Sequence, residues 1–245
     1  MSDFLNFSGK VVLVVGGSSG IGNAIAQAFR ERGASVHVTG TRASNADYAA
    51  SDGSDLTGLQ YSQLDLSDPG AIAFWDPGIA SVDTVVLSQG LVLYKRTEFD
   101  AEGFQRVLQV NLTSVMQCAT LFHDRLAATK GSLIIISSSA AFHATTGNPA
   151  YNASKSGAMG LTRTLGRAWA AEGIRVNGIA PGFVATKMTA VTTDNADRRK
   201  TAEERIPLGR IAEPAEMVGV ALFLASPMSS YVVGQTILAD GGMLL

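Results

Sequence analysis

The chain is poor in cysteine, histidine, charge and long apolar runs, and each shortage removes a class of protein. A single cysteine, Cys118, among 245 residues excludes an internal disulfide framework and fits a reducing, cytoplasmic setting. The three histidines, His37, His123 and His143, stand far apart without cysteine partners, so no metal site is expected. Charged residues make up only 16% and sum to a net charge of −2, against about 25% charged in an average globular chain. Without a basic run, nucleic acid is not expected as a partner. So few charges coat a monomer poorly, and an apolar interface between copies is expected. The longest apolar stretches, such as 218–225, fall far short of the ~20 residues that cross a bilayer, which excludes a membrane span. Residues 1–9 show no basic stretch leading into an apolar run of secretory length, so no signal peptide is expected.

Short β-branched runs alternate instead with longer helical patterns. Strands are expected at 11–15, 35–39, 60–64, 84–87, 132–137, 175–180 and 235–239, and helices at 21–32, 67–74, 101–128, 151–171 and 214–225. Three of the strand runs (11–15, 84–87 and 132–137) are continuously apolar, the mark of strands covered on both faces. Alternation over the whole length predicts a Rossmann-like, doubly wound, seven-stranded parallel sheet with helices on both faces, folded as a single domain over residues 1–245. Residues 183–207 form the least regular segment, long enough to cover a substrate site. The break at Trp75-Asp76-Pro77-Gly78 predicts a stubby third helix.

Directly after the first strand comes Gly16-Gly17-Ser18-Ser19-Gly20-Ile21-Gly22, leading into a helix. Glycines at a strand end let backbone approach a pyrophosphate, and the following helix N-terminus offers unpaired N–H groups and a positive dipole end. The second strand ends without the acidic residue that binds a ribose 2′-hydroxyl in NAD sites. Gly40 stands there, and Arg42 follows two residues later, able to pair with a 2′-phosphate. NADP is favoured on this ground, with NAD possible. Tyr151 and Lys155, four apart, share one helix face. The spacing matters because a phenol of pKa about 10 is a poor base at neutral pH, and a nearby ammonium favours the phenolate.

Taken together, Gly16-x-x-x-Gly20-x-Gly22, Asn111, Ser138, Tyr151-x-x-x-Lys155 and Pro181-Gly182 resemble the short-chain dehydrogenase/reductase family, through an Asp240-Gly241-Gly242 ending similar to the family's own. The resemblance implies that Tyr151 is the general acid/base and that Lys155 lowers its pKa and binds the nicotinamide ribose. It implies that Ser138 holds the substrate oxygen and that Asn111 places a water linking the lysine to solvent. It implies a coenzyme site of Gly16, Ser18, Ser19, Gly20, Ile21, Gly22, Arg42, Asp65, Leu66, Gly90, Tyr151, Lys155, Pro181, Gly182, Val184 and Thr186. Within that site Asp65 would bond the adenine amino group and Thr186 the carboxamide. A homotetramer through the helices at 101–128 and 151–171 is implied as well.

The chain departs from the family at two places that would touch each other. The family's Asn-Asn-Ala-Gly is Leu87-Ser88-Gln89-Gly90 here, and its threonine before the first glycine is Val15. Loss of both polar partners reads as one coupled apolar substitution. Candidate substrate contacts (Leu91, Leu93, Phe142, His143, Phe183 and Met188) are mostly apolar. The expected activity is therefore oxidoreduction of a small or medium apolar secondary alcohol or ketone, a small-molecule substrate. Two alternatives remain open: a 3-oxoacyl-carrier-protein reductase, and a nucleotide-sensing binding protein that has lost catalysis.

Overall fold

Both faces of the apolar strands are covered, and this sets the layers. The computed structural model describes residues 4–245. Its seven strands are β1 (Val11–Val15), β2 (Ser35–Gly40), β3 (Gln60–Gln63), β4 (Thr84–Leu87), β5 (Ser132–Ile136), β6 (Arg175–Pro181) and β7 (Thr236–Ala239). They form one sheet in the order β3-β2-β1-β4-β5-β6-β7, with every pairing parallel. Along β1, Leu13 and Val15 join one apolar cluster, while Val12 and Val14 join another on the opposite face. The first cluster is closed by α3 (Ser114–Thr129) and α4 (Pro149–Trp169), and the second by α1 (Gly20–Glu31) and α7 (Val218–Ala225). Strand order reverses between β1 and β4, which opens a crevice at their carboxyl ends. Among the described residues no helix is long and apolar enough to cross a membrane.

Three stretches differ from the sequence expectation. The helix expected at 67–74 is a single 3₁₀ turn, Ala71–Phe74. The space is closed by side chains instead: Trp75 meets the Phe122 ring edge-on at 5.9 Å and donates from Nε1 to Ser62 Oγ (3.1 Å). The helix expected at 101–128 is broken into α2 (Ala101–Leu108) and α3 by a π-turn, Gln109–Thr113, that contains Asn111. Such single wide turns put an extra residue into the helix and re-aim a side chain. The segment 183–207 is not irregular: it folds into a 3₁₀ turn at Lys187–Thr189, then α5 (Ala190–Thr193) and α6 (Ala196–Glu204). Local capping organises it, with Thr186 and Thr189 bonding reciprocally and Asn195 accepting from Arg198 N (3.0 Å).

The Val15–Leu87 substitution lies where the sequence placed it. The two residues are register partners in the β1–β4 ladder, fully buried in the same apolar cluster. Replacing Val15 alone by Thr is expected to cost about 1–3 kcal/mol, because the new hydroxyl enters an apolar surrounding. Urea unfolding would show a lower midpoint with an unchanged slope. A variant as stable as the parent would break the coupling.

Candidate active site

The crevice between β1 and β4 widens into a cleft of about 930 Å³ at the carboxyl ends of the strands. All the coenzyme positions expected from sequence line it, from Gly16 in the first turn to Thr186 after β6. The turn after β1 closes on itself: a Cβ on Gly22 would stand 2.3 Å from Gly16 O, and one on Gly16 would stand 2.8 Å from Gln89 N. Gly16 also has φ +73°, which side chains disfavour. Gly16 N donates to Thr39 Oγ1 (3.0 Å), fastening the turn to β2. Ser19 precedes α1 without a side-chain cap; Gly20 N donates to Gly53 O (3.2 Å), and the positive end of the helix is left facing the cleft to suit an anion.

At the end of β2 the room for a side chain is already taken. A Cβ on Gly40 would lie 2.2 Å from Tyr48 Oη and 2.6 Å from Ser18 Oγ. The phenol of Tyr48 thus fills the place where an NAD site carries its acid. Arg42 N donates to Tyr48 Oη (3.2 Å), and the Arg42 guanidinium stacks over the Tyr48 ring at 4.6 Å. The hydroxyl of Tyr61 donates to the Arg42 carbonyl, steadying the same rim. Sequence reasoning missed Tyr48; an aromatic in a polar Ala/Ser/Asp loop was its only signal. Asp65 lines the cleft while Oδ1 accepts from Ser67 N (2.9 Å) and Ser67 Oγ (2.7 Å), which holds its carboxyl below the ordinary value.

Ser138 follows β5, and Tyr151 and Lys155 stand one turn apart near the start of α4. The Ser138 hydroxyl accepts from Ala140 N (3.1 Å) and lies near enough to the Tyr151 phenol to favour its ionised form. Lys155 is buried, its Nζ donating to Ile136 O (2.9 Å) and lying 5.7 Å from the centre of the Tyr151 ring. This geometry corrects the expected electrostatics. Burial pushes the Tyr151 phenol up, the charges of Tyr94 and Glu98 add to the rise, and only the Ser138 hydroxyl opposes it. The ammonium faces a carbonyl rather than the phenol oxygen, and burial lowers Lys155 itself to about 8.

Asn111 is fully buried behind the cleft wall. Its Oδ1 accepts from Leu91 N (2.7 Å), and its Nδ2 donates to Leu91 O (2.8 Å) and Ser154 Oγ (3.1 Å). Ser154 Oγ in turn donates to Tyr151 O (2.8 Å). The side chain thus fixes the loop after β4 and the start of α4. Of the expected substrate contacts, Leu91 and Met188 line the cleft. Phe183 turns away into a small cluster with Ala202, Ile206 and Ile211. The Tyr94 hydroxyl donates to Met188 O, tying the loop after β4 to the segment that carries α5 and α6. His143 does not line the cleft and holds Nδ1 against Ala144 O (2.8 Å), and Phe142 is exposed. Cys118 is buried away from the site, and burial pushes its thiol up to about 12.

A family model described as enoyl-(acyl carrier protein) reductase matches residues 15–244. The 3-oxoacyl-(acyl-carrier-protein) reductase of Chlamydia pneumoniae is 36% identical over 96% of this chain and 97% of its own length. The 2-dehydro-3-deoxy-D-gluconate 5-dehydrogenase of Bacillus subtilis is 34% identical over 100% of this chain and 98% of its own. Among solved structures, a putative 2-deoxy-D-gluconate 3-dehydrogenase from Agrobacterium tumefaciens with bound NADP superposes with a TM-score of 0.86. It is 34% identical and covers 99% of each chain.

The buried ammonium makes a stability prediction. Folding lowers the Lys155 value from 10.5 to about 8, so the charged form is disfavoured in the folded state. That cost is full below pH 8 and fades as the pH rises toward 10.5. Lys155→Met in the coenzyme-free protein is expected to gain about 1–3 kcal/mol at pH 7, with a smaller gain at pH 10. Urea midpoints at the two pH values measure this, and equal stability at pH 7 would refute it.

Proposed function

The chain belongs to the short-chain dehydrogenase/reductase family, and we propose that it is an NADP-dependent oxidoreductase interconverting a secondary alcohol and its ketone, with Tyr151 exchanging the proton. The observation that carries this reading is the convergence of Ser138, Tyr151 and Lys155 on the cleft that also holds the glycine turn and the start of α1. The residues fit the coenzyme. The glycine turn and the N–H groups of α1 would hold its pyrophosphate, Asp65 its adenine, and Lys155 and Thr186 its nicotinamide end. Gly40, shielded by Tyr48, together with Arg42 suits a 2′-phosphate.

The reduced coenzyme supplies a hydride for the carbonyl carbon. Ser138 would hold the carbonyl oxygen, and Tyr151 would donate the proton that oxygen needs. A phenol held protonated by burial is the right state for a donor. Leu91 and Met188 favour an apolar group beside the carbonyl, and the segment 183–207 would cover it. A 3-oxoacyl thioester is a second reading, favoured by the relative from Chlamydia pneumoniae. Large apolar groups left at the surface, among them Met116 on α3 and Tyr231 and Leu238 near β7, support a homotetramer. The one buried thiol suits a reducing cytoplasm.

A panel of ketones, secondary alcohols and a 3-oxoacyl thioester with each coenzyme, followed by nicotinamide absorbance, tests the activity. Tyr151→Phe is expected to lower kcat by about 10²–10⁴-fold and to leave coenzyme affinity within twofold by fluorescence titration. Undiminished turnover would remove Tyr151 from the chemistry. Arg42→Ala is expected to weaken NADPH binding about tenfold, roughly the 1.4 kcal/mol of one charge-assisted contact, while NADH binding holds. Equal losses for the two coenzymes would end the 2′-phosphate argument.

A further inference from the structure

Behind Tyr151 lies a carboxylate that the chemistry above leaves unused. Glu98, in the 3₁₀ turn Thr97–Phe99, is 0% exposed. Its Oε1 accepts from Leu93 N (3.0 Å) and Asn148 Nδ2 (3.2 Å), and its Oε2 accepts from Tyr151 N (2.9 Å). All three partners are donors, so the site suits an ionised acceptor and offers nothing to a carboxyl proton. Among the described residues no cationic side chain pairs with it. A buried anion of this kind is costly, and here the donors and the positive end of the 21-residue α4 sustain it.

The local sequence of α4 shows why an outside group is needed. Asn148 occupies the N-cap position but makes no capping bond. Its Nδ2 turns to Leu93 O (2.9 Å) and to Glu98 instead. Pro149 has no N–H, so the first turn is satisfied from a segment 53 residues upstream. One carboxylate therefore joins the loop after β4, the loop before α4 and the backbone of Tyr151.

We propose that Glu98 is a positioning residue for Tyr151: its carboxylate fixes the first turn of α4 and sets a buried negative charge against the phenol. The proposal rests on the reading of Tyr151 as proton donor. The charge acts in the direction seen at Tyr151, where burial comes first and Tyr94 and Glu98 add to the rise. The other titratable groups facing the phenol can be named by element. Lys155 stands one turn along α4, and Tyr94 comes from the loop after β4. Lys95, Arg96 and Asp100 beside Glu98, Glu102 and Arg106 on α2, and Lys187 before α5 are exposed and solvent-screened.

The test is a phenolate titration, read as the absorbance difference between each protein and its Tyr151→Phe counterpart, alongside pH profiles of alcohol oxidation. For Glu98→Gln the Tyr151 midpoint is expected to fall by about one pH unit, as loss of one nearby buried charge requires. Glu98→Asp keeps the charge but withdraws it from Tyr151 N. Its midpoint should stay near the parent value while kcat drops about tenfold. An unmoved or raised midpoint in Glu98→Gln overturns the electrostatic part, and parent-like kcat in Glu98→Asp overturns the positioning part. Should Glu98→Gln fail to bind NADPH through misfolding, the Glu98→Asp comparison still decides. Because the titration needs no substrate, a chain inactive on every panel member would refute the proposed activity without touching the electrostatic part of this result.

Discussion

The parallel pairing of β1 with β4 is the constraint on which the rest of the molecule depends. Because the chain crosses to one side from β1 and to the other from β4, no helix can cover the point between their carboxyl ends. The glycine turn, the Gln89-Gly90 segment and the start of α1 meet there, packed so closely that a Cβ on Gly16 would strike backbone. The apolar partnership of Val15 and Leu87 holds this junction from below. What a polar pair would do through a hydrogen bond is done here by excluding water from both faces of the two strands.

Around that junction the protein buries charge of both signs close to one phenol. Lys155 is held by a backbone carbonyl and Glu98 by three donors. Neither is paired with the other, and Tyr151 lies between their influences. Such an arrangement costs stability, since burial disfavours each ion. In return the phenol is kept protonated and its backbone is fixed at two ends: by Glu98 at the amide, and by Asn111 through Ser154 at the carbonyl. The Tyr151 hydroxyl thus sits on a helix start whose freedom has been removed by groups distant in sequence.

Much of the fold was legible because its signals are local. Continuous apolar runs mark doubly covered strands, and Gly33 ends α1 at φ +88° where a C′ glycine belongs. The glycine turn was legible for a similar reason, since Gly22 answers a steric demand made by Gly16 only six residues before it. The π-turn at Asn111 was not, because its side chain is satisfied by Leu91, twenty residues away. The helices of 183–207 were hidden by a polar composition, and the capping box of Thr186 with Thr189 and the cap from Asn195 become visible only once the backbone is placed.

From the sequence alone came the α/β class, the strand runs, the glycine turn and the Tyr151–Lys155 spacing, all set by contacts within a few residues or by period. Tertiary structure alone decided that Tyr48 fills the space over Gly40, that the Lys155 ammonium faces Ile136 rather than the phenol, and that Glu98 caps α4. Those outcomes rest on where a side chain from one segment finds room and a partner in another. Hydrogen bonding and desolvation depend on that three-dimensional neighbourhood, and spacing along the chain does not encode it.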